Sequence, residues 1–516
     1  MRNRMKQQQL FDQGDFHGPS FFPLGMNPSG ADPQAIYMRL LLAGVQAPNP
    51  SSATIIHIGI GSYAYAIPWA IRDVSSHVTV IDPLHEADSF AADVYGHLEI
   101  DHIDFMCAEL RDIKNLNIPH KSADYIILHD VFDGSENDLQ LLKNCAEYLK
   151  DDGVMSANYS TAPGAISSVI AADMLQFYDR SLPQEYPLSA QEVVSLIAQN
   201  AHISGGIDQE EFKTFMQKMG QHELRQLIEC PTQCVDFLSV YQNAKNAGLD
   251  YVSEVALHDV TMNDLPEQLV SQIRAVANDD TASLEQYVDI MTNREYRQSI
   301  FCKSELAQQA KHGIELTAIT NDLSFYTDMV HVNDPAQRVY QSSKSNLRIF
   351  LQQQKLIECL DAVIAHSPNG VTFGQLLEAI GKHHKRDLKN AIIELISKGI
   401  IRPSLAKNDS VDHVSDYPQA CAWVRLQARQ QEQIINRNGH VFKLDDFTRL
   451  IICKLDGTSN LDSLADYVGC LVEEGILPFN LSFEGSKDGS LQLRLAIKPH
   501  VEQTLRQLMK NGILVA

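Results

Sequence analysis

Residues 54–82 read TIIHIGIGSYAYAIPWAIRDVSSHVTVID, and their pattern indicates the fold class. A short apolar run leads into Gly59 and Gly61, a helix-like stretch follows, and a second apolar run ends on Asp82. Glycines at such a turn let the backbone approach a ligand, and a carboxylate at the end of the second strand can accept both hydroxyls of a ribose. Asp82 follows Gly61 by 21 residues, close to the spacing of about 20 residues in a nucleotide-binding βαβ unit. The stretch therefore predicts an α/β sheet that binds a nucleoside-type cofactor.

The alternation of strand and helix continues to about residue 160. We predict helices over residues 87–97 and 138–149, and strands over residues 103–107, 123–128 and 154–159. Strands that alternate with helices of this length imply a parallel sheet with helices on both faces. The predicted fold class is therefore α/β, with a doubly wound, Rossmann-like parallel sheet followed by mostly helical units.

The rest of the chain divides by its patterns into further units. The first unit, with an N-terminal arm rich in Gly, Pro and Asn, precedes a segment that reads as a separate helical domain. Two or three helices and a terminal strand then resemble a winged helix, and the last unit reads as α+β with one hairpin, at 481–484 and 491–496. The predicted boundaries are 1–188, 189–330, 331–410 and 411–516.

Composition narrows the classes of function. The 516 residues carry Lys+Arg 42 against Asp+Glu 65, a net charge of −23, which disfavours nucleic acid and anionic membrane surfaces as partners. No apolar run approaches the roughly 18 residues of a membrane span, and the N-terminus has no apolar signal region. The nine cysteines are scattered, so we expect reduced thiols, no metal site and a cytoplasmic protein.

Several motifs together carry a family resemblance. The order of glycine turn, strand-end acids and Asp-Asp-Gly resembles class I S-adenosylmethionine-dependent methyltransferases. SANYSTAPG at 156–164 is similar to the SYNTYPG segment of those members that carry a methyltransferase regulatory domain. Residues 230–254 and 284–302 are similar to two segments of that regulatory domain, and residues 440–458 resemble a C-terminal segment that ends in LLDGT. Rickettsial-type protein-lysine methyltransferases belong to this group.

The resemblance implies a function and leaves rivals open. It implies S-adenosyl-L-methionine as cofactor, a regulatory domain over 189–330, and a protein side chain, lysine above all, as methyl acceptor. The helical domains would then grip the substrate or a second copy of the chain. Two alternatives remain at this point: a catalytically degenerate pseudoenzyme that serves as an interaction or regulatory partner, and a small-molecule methyltransferase.

The resemblance also implies roles for individual residues. Gly59 and Gly61 would face the methionine part of the cofactor, and Asp82 would take the ribose hydroxyls, although an Asp before Pro83 also suits a helix N-cap. The remaining candidates are Ala108 and Glu109 at the adenine, His129 beside the cofactor and in catalysis, and Tyr159 at the incoming amine. For these the alternatives are a solvated carboxylate at Glu109, a structural histidine at His129 and a packing tyrosine at Tyr159.

Two positions depart from the family pattern. His57 stands where a carboxylate usually contacts the ammonium of the cofactor, and Tyr63 stands where a third glycine is usual. An imidazole removes an attraction to a cation, and a ring at a close-approach glycine can block a pocket. Both residues remain candidate cofactor contacts.

A basic run, His-His-Lys-Arg at 383–386 with Lys389, lies in the winged-helix-like unit. Such units often bind DNA through a basic helix. Against the net charge of −23, a solvated face or a protein contact is the favoured interpretation. Cys230 and Cys234 are spaced for one helix face, but two thiols do not make a metal site.

Overall fold

The structure of the chain is a computed structural model. It describes residues 31–83, 87–181, 233–256, 265–311, 313–321, 323–332, 338–343, 347–367, 370–381, 384–405, 411, 413–437, 439, 441–478 and 489–515.

A seven-stranded sheet in the order β3-β2-β1-β4-β5-β7-β6 forms the centre of the first half of the chain. Strands β1 to β5 run parallel, β7 is antiparallel to β5, and β6 is antiparallel to β7. This arrangement confirms the predicted α/β class. The strands are β1 Thr54–Gly59, β2 His77–Asp82, β3 Ile103–Cys107, β4 Ala123–His129, β5 Leu149–Ser160, β6 Leu249–Glu254 and β7 Tyr296–Lys303.

Helices cover both faces of this sheet, because alternate residues of the buried strands point to opposite sides. On one face, a first core contains Ile55, Val80 and Ile127 together with residues of the helices α2 and α3. On the other face, a second core contains Ile56 and Ile126 together with residues of α4 and α6. The helices are α1 Pro33–Leu42, α2 Ser62–Arg72, α3 Ala87–His97, α4 Glu136–Tyr148, α5 Ile166–Ser181, α6 Phe237–Asn246, α7 Glu267–Ala277, α8 Thr281–Thr292 and α9 Ser304–Ala307.

The segment 189–330 differs from the separate helical domain that we predicted. Its described part supplies β6 and β7, which extend the central sheet beyond β5. Strand β7 pairs with β5 along its length, from Cys302 opposite Val154 to Tyr296 opposite Ser160. Arg297, Gln298 and Ser299 are buried polar residues within β7, so the strand lacks the apolar pattern that would reveal it in the sequence.

A smaller unit follows, with a core of its own. Helices α10 to α12 followed by β13 correspond to the predicted helices with a terminal strand, and β12, β8 and β13 form a three-stranded sheet that was not predicted, with β8 before residue 331. Its elements are β8 Ser324–Tyr326, β9 Met329–Val332, β10 Val339–Ser342, β11 Arg348–Phe350, α10 Gln354–His366, β12 Val371–Thr372, α11 Phe373–Ile380, α12 Lys385–Ser397 and β13 Arg402–Ser404.

The last unit contains a hairpin, but not the one that we predicted. Residues 491–496 lie in a helix, and residues 481–484 lie outside the described residues, whereas β14 and β15 form the observed hairpin. Its elements are α13 Ala422–Gln430, β14 Gln433–Ile435, β15 Val441–Lys443, α14 Asp446–Cys453, α15 Leu461–Glu473 and α16 Gly489–Lys510. Among the described helices, none is long and apolar enough to cross a membrane.

Candidate functional site

The glycine turn lies where the ends of β1 and β4 meet. Gly59 has φ 148° and is paired with His129, and a Cβ at Gly59 would lie 2.1 Å from the His129 carbonyl oxygen. Gly61 has φ 74° and forms the N-cap of α2. Both backbone conformations favour glycine, so the turn itself requires these residues.

Asp82 lies beside this turn. The register places Ile58 opposite Ile81, so Asp82 at the end of β2 lies next to Gly59. The Asp82 side chain is fully buried, and its backbone carbonyl accepts a hydrogen bond of 3.2 Å from the Ala108 amide. Glu109 is exposed and precedes a short 3-10 helix. Asp82, Ala108 and the glycine turn therefore come together at the carboxyl edge of the sheet, with Glu109 at the surface.

Two buried histidines meet behind the turn. His57 is fully buried, and neither of its ring nitrogens has a hydrogen-bond partner among the described residues. Its ring centroid lies 6.2 Å from that of His129, whose Nδ1 likewise has no partner in the described part of the chain. Burial lowers the pKa of both histidines, because a protein interior disfavours the charged imidazolium. The two rings are therefore neutral at physiological pH.

Of the two tyrosines in α2, one lies against the buried histidines and the other packs into the first core. The Tyr65 ring lies against the His129 ring, with centroids 4.2 Å apart. Tyr63 is buried in the first core, and its carbonyl accepts a hydrogen bond of 3.2 Å from the Tyr95 hydroxyl. The residue at the position of the usual third glycine thus packs into α2 and the first core, and Tyr65 is the tyrosine that stacks on the site.

An acid at the mouth of the crevice was not among the predicted site residues. Asp130 follows β4, its carboxylate Oδ2 lies 3.3 Å from His129 Nε2, and its side chain is 37% exposed. The Tyr296 side chain, at the start of β7, forms a hydrogen bond with it. Tyr296 belongs to the REYR part of the motif at 284–302, which was the signal for it in the sequence.

Tyr159 does not reach this crevice. His129 pairs with Asn158, so the next residue points to the opposite face of the sheet. The Tyr159 side chain is 1% exposed in the second core, and its hydroxyl lies 3.2 Å from Ser299 Oγ. The predicted role of Tyr159 at the acceptor amine is corrected to the packing alternative.

The motif at 284–302 builds a buried ion network beside Tyr159. The Arg297 guanidinium donates to both carboxylate oxygens of Asp289, at 2.7 Å each, and to Glu254 Oε1 at 2.6 Å. It also donates to Glu285 at 3.0 Å and lies 4.0 Å from the centre of the Phe237 ring. Since Arg297 is fully buried, its five donors need these partners. This network stabilises the packing of α8 against β7 of the sheet.

A close backbone contact explains why the SANYSTAPG segment ends in a glycine, Gly164. A Cβ at Gly164 would lie 2.2 Å from the Arg294 carbonyl oxygen. The close approach holds the turn after α8 against the chain that follows β5.

One lysine of the basic run, and an aspartate within it, make contacts inside the protein. Lys389 Nζ donates to the Leu316 carbonyl at 2.7 Å, and Asp387 pairs with Lys355 at 2.6 Å. Residue 383 and Cys230 lie outside the described residues, and Cys234 is a half-buried free thiol. In the part of the chain that the structure describes, no cluster of three metal-ligating side chains occurs.

The residues of the crevice fit an S-adenosylmethionine-type cofactor. The glycine turn offers close backbone approach, Asp82 offers a carboxylate for ribose hydroxyls, and the unsatisfied nitrogens of His57 and His129 offer polar contacts. Because Asp82 is fully buried, its neighbours must move aside before a ribose can reach it.

Three family models match the chain in succession. A methyltransferase domain matches residues 56–157, a predicted methyltransferase regulatory domain matches residues 226–303, and the C-terminal winged helix domain of PKMT matches residues 416–513. The last match covers the segment that we predicted as α+β.

Relatives resemble the chain along nearly all of its length. An uncharacterized protein of Rickettsia prowazekii (strain Madrid E) is 22% identical over 506 residues, which cover 92% of this chain and 89% of the relative. The structure of PKMT2 from Rickettsia typhi in complex with AdoHcy has a TM-score of 0.78 at 18% identity, covering 95% of this chain and 99% of that chain. A second structure, of PKMT2 from Rickettsia typhi, has a TM-score of 0.75 at 17% identity, covering 96% of this chain and 100% of that chain. The chain therefore matches a methyltransferase domain, a methyltransferase regulatory domain and a PKMT winged helix domain in this order, and is similar to the S-adenosylmethionine-dependent methyltransferases of the rickettsial PKMT type along nearly all of its length.

Proposed function

We propose that this methyltransferase transfers the methyl group of S-adenosylmethionine to a lysine side chain of another protein. The observation that carries the proposal is the match of a PKMT winged helix domain behind a methyltransferase domain that keeps Gly59, Gly61 and Asp82. The similar PKMT2 of Rickettsia typhi is known in complex with AdoHcy, which supports the choice of cofactor.

The residues around the turn have distinct tasks in this proposal. The backbone at Gly59 and Gly61 lies against the cofactor, and Asp82 accepts hydrogen bonds from the ribose. His57 and His129, both neutral, accept hydrogen bonds at the methionine end. When bound there, S-adenosylmethionine supplies an electrophilic methyl group on a sulfonium.

The protein must also prepare the acceptor. A lysine side chain has a pKa of about 10.4 and is a cation at neutral pH, and only its neutral form has a lone pair for the transfer. A site that positions the amine and removes one proton therefore supplies most of what the reaction needs. The net charge of −23 suits attraction of a basic protein segment.

The test is transfer of label from S-[methyl-³H]adenosylmethionine to a mixed protein extract, with mass spectrometry of labelled bands. We expect methylated lysine in a discrete set of proteins and none with Asp82→Ala, since that variant lacks the ribose contact. Label confined to small molecules would contradict a protein acceptor, and methylation of a residue type other than lysine would contradict the amine.

We also propose a cytoplasmic location. All eight described cysteines are free thiols, as expected of a reducing compartment. Fractionation of expressing cells followed by immunoblotting tests this location, and recovery of the protein from an oxidising compartment would contradict it.

A further inference from the structure

We propose that the Asp130 carboxylate binds the acceptor ammonium and takes its proton, and that the regulatory segment completes the site by holding Asp130 with Tyr296. The regulatory segment means residues 226–303, of which 233–256 and 265–303 are described. This inference rests on the proposed function, because it assigns the proton acceptor that a lysine substrate requires.

Asp130 has the position for this task. It directly follows β4, and ligands of doubly wound sheets bind outside the carboxyl ends of the strands. Its carboxylate is 37% exposed, whereas its neighbour His129 is 3% exposed. Asp130 therefore stands between the buried floor of the crevice and solvent, where an incoming side chain and a departing proton can both reach it.

The backbone and two side chains fix the carboxylate. Asp130 has φ 48°, a left-handed conformation that is sparsely populated and clusters at functional sites, and its amide donates to the Asn158 carbonyl at 2.9 Å. His129 Nε2 lies 3.3 Å from Asp130 Oδ2, and Tyr296 donates a hydrogen bond from its hydroxyl. With the proton on Nε2, His129 presents Nδ1 as an acceptor inside the crevice.

Tyr296 comes from a distant part of the chain. It is the first residue of β7 and lies opposite Ser160, the last residue of β5. The pairing of β7 with β5 brings its ring to the loop after β4. Without the regulatory segment, the Asp130 carboxylate would lose the Tyr296 hydroxyl and keep only the contact with His129.

The surroundings favour an ionised carboxylate that can still accept a proton. The titratable groups near Asp130 are His129 on the same strand end, Tyr296 on β7, and Tyr65 and His57 behind them on α2 and β1. Partial desolvation beside the buried His129 raises the pKa of Asp130, and the interactions with His129 and Tyr296 oppose that rise. A carboxyl with a raised pKa is a stronger base, because its pKa then lies closer to that of the amine.

The proton transfer balances without another reactant. One N–H bond of the ammonium breaks, its electron pair stays on nitrogen, and the proton forms an O–H bond with Asp130. The resulting neutral amine carries the lone pair that methyl transfer needs. The exposed part of the carboxyl then returns the proton to solvent.

The test is calorimetric binding of n-butylamine, an analogue of the lysine side chain, to the full chain saturated with S-adenosylhomocysteine. We expect Asp130→Asn to weaken n-butylamine binding at least ten-fold at neutral pH, with S-adenosylhomocysteine affinity within two-fold of wild type. Asp133→Asn removes an equal charge three residues away, where Asp133 caps the Ser135 amide at 2.9 Å, and should change neither affinity.

The variant Tyr296→Phe tests whether the Tyr296 hydroxyl positions the Asp130 carboxylate or only supports the structure. Loss of the hydroxyl raises the pKa of Asp130, so the pH at which amine binding falls off on acidification should move upward while the plateau at higher pH is retained. An unmoved profile, or n-butylamine binding by Asp130→Asn at wild-type strength, overturns the proposal. A wild type that binds S-adenosylhomocysteine but no n-butylamine also overturns it, and a wild type that binds no S-adenosylhomocysteine overturns the proposed function as a whole.

Discussion

At Gly59 the chain approaches a neighbouring strand more closely than a side chain allows. A Cβ there would lie 2.1 Å from the backbone oxygen of His129, and neither strand end can move without breaking the parallel pairing. We expect Gly59→Ala to lower the free energy of unfolding by about 3 kcal/mol, through strain and overpacking. The measurement is denaturant unfolding of the full chain.

Gly96→Ala is the matched control for that variant. Gly96 lies in α3, and a Cβ there meets nothing within 4 Å. Alanine in a helix is favoured over glycine, so the free energy of unfolding should rise by up to about 1 kcal/mol. Equal losses in both variants would contradict the close approach at Gly59.

Asp138 predicts a specific pH dependence of stability. It accepts hydrogen bonds from the Asp133 and Gly134 amides, at 3.2 and 2.9 Å, and burial raises its pKa to about 6. An unfolded Asp has a pKa of about 3.9, so the folded state binds the proton more tightly. The resulting stabilisation is complete below about pH 4 and is lost as the pH rises through about 6.

Asp138→Asn tests this pH dependence. The variant should show a smaller fall in the free energy of unfolding between about pH 4 and pH 7 than wild type, as measured by denaturant unfolding at intervals across that range. Identical slopes in the two proteins would show that Asp138 is not the responsible group.

The sequence predicts some of these site residues and not others for a geometric reason. Gly59, Asp82 and His129 are the last residues of neighbouring parallel strands, and such strand ends meet at one edge of the sheet. Tyr159 requires knowledge of the register, because a shift of one residue changes the face to which a side chain points. The contact between Asp130 and Tyr296 depends on β7 pairing with β5, which no local pattern reveals.

At the scale of elements, the Arg297 network determines whether β7 stays on the sheet. We expect Arg297→Met to lower the free energy of unfolding by about 3–5 kcal/mol, because it leaves Glu254 and Asp289 buried without their cation. Arg274→Met is the control, since Arg274 is 50% exposed in its pair with Asp279 and should contribute less than about 1 kcal/mol. Similar losses in the two variants, measured by chemical denaturation, would contradict a structural role for the network.

The sequence predicts helices and strands correctly where its hydrophobic periodicity agrees with the burial of the side chains. Helix α3 and strand β3 have the predicted bounds, 87–97 and 103–107. Residues 491–496 alternate apolar and polar side chains like a strand, yet Leu495 is 63% exposed, and the helix is buried through Ile497, Val501 and Leu505 further along. The short alternating pattern was overridden by the longer helical one.

At the scale of the whole molecule, the units share cores. Ile36 and Leu40 of α1 pack into the first core, while Met38 and Leu42 on the same helix pack into the core of the winged-helix-like unit. Trp423 of the last unit is fully buried in the first core as well. Domain boundaries drawn from the sequence therefore remain a proposal, since the packing crosses them.

Tryptophan fluorescence can test this sharing. The chain has 2 tryptophans, and Trp69 and Trp423 both lie in the first core. In the variants Trp69→Phe and Trp423→Phe, each remaining tryptophan reports one side of the contact. We expect both to become exposed at the same denaturant concentration, as cooperative unfolding of one core requires. Exposure of Trp423 well before Trp69 would show that the last unit undocks by itself.

We propose that the crevice at Gly59 and Asp82 binds the cofactor of a methyltransferase, although His57 and Tyr63 depart from the family pattern. Calorimetric titration of the purified protein with S-adenosylhomocysteine tests it most directly. We predict a dissociation constant in the micromolar range, weakened at least ten-fold, about 1.4 kcal/mol, by Asp82→Ala and by the more conservative Asp82→Asn. Absence of binding at millimolar ligand, or unchanged affinity in both variants, would contradict the claim and favour a catalytically silent partner protein.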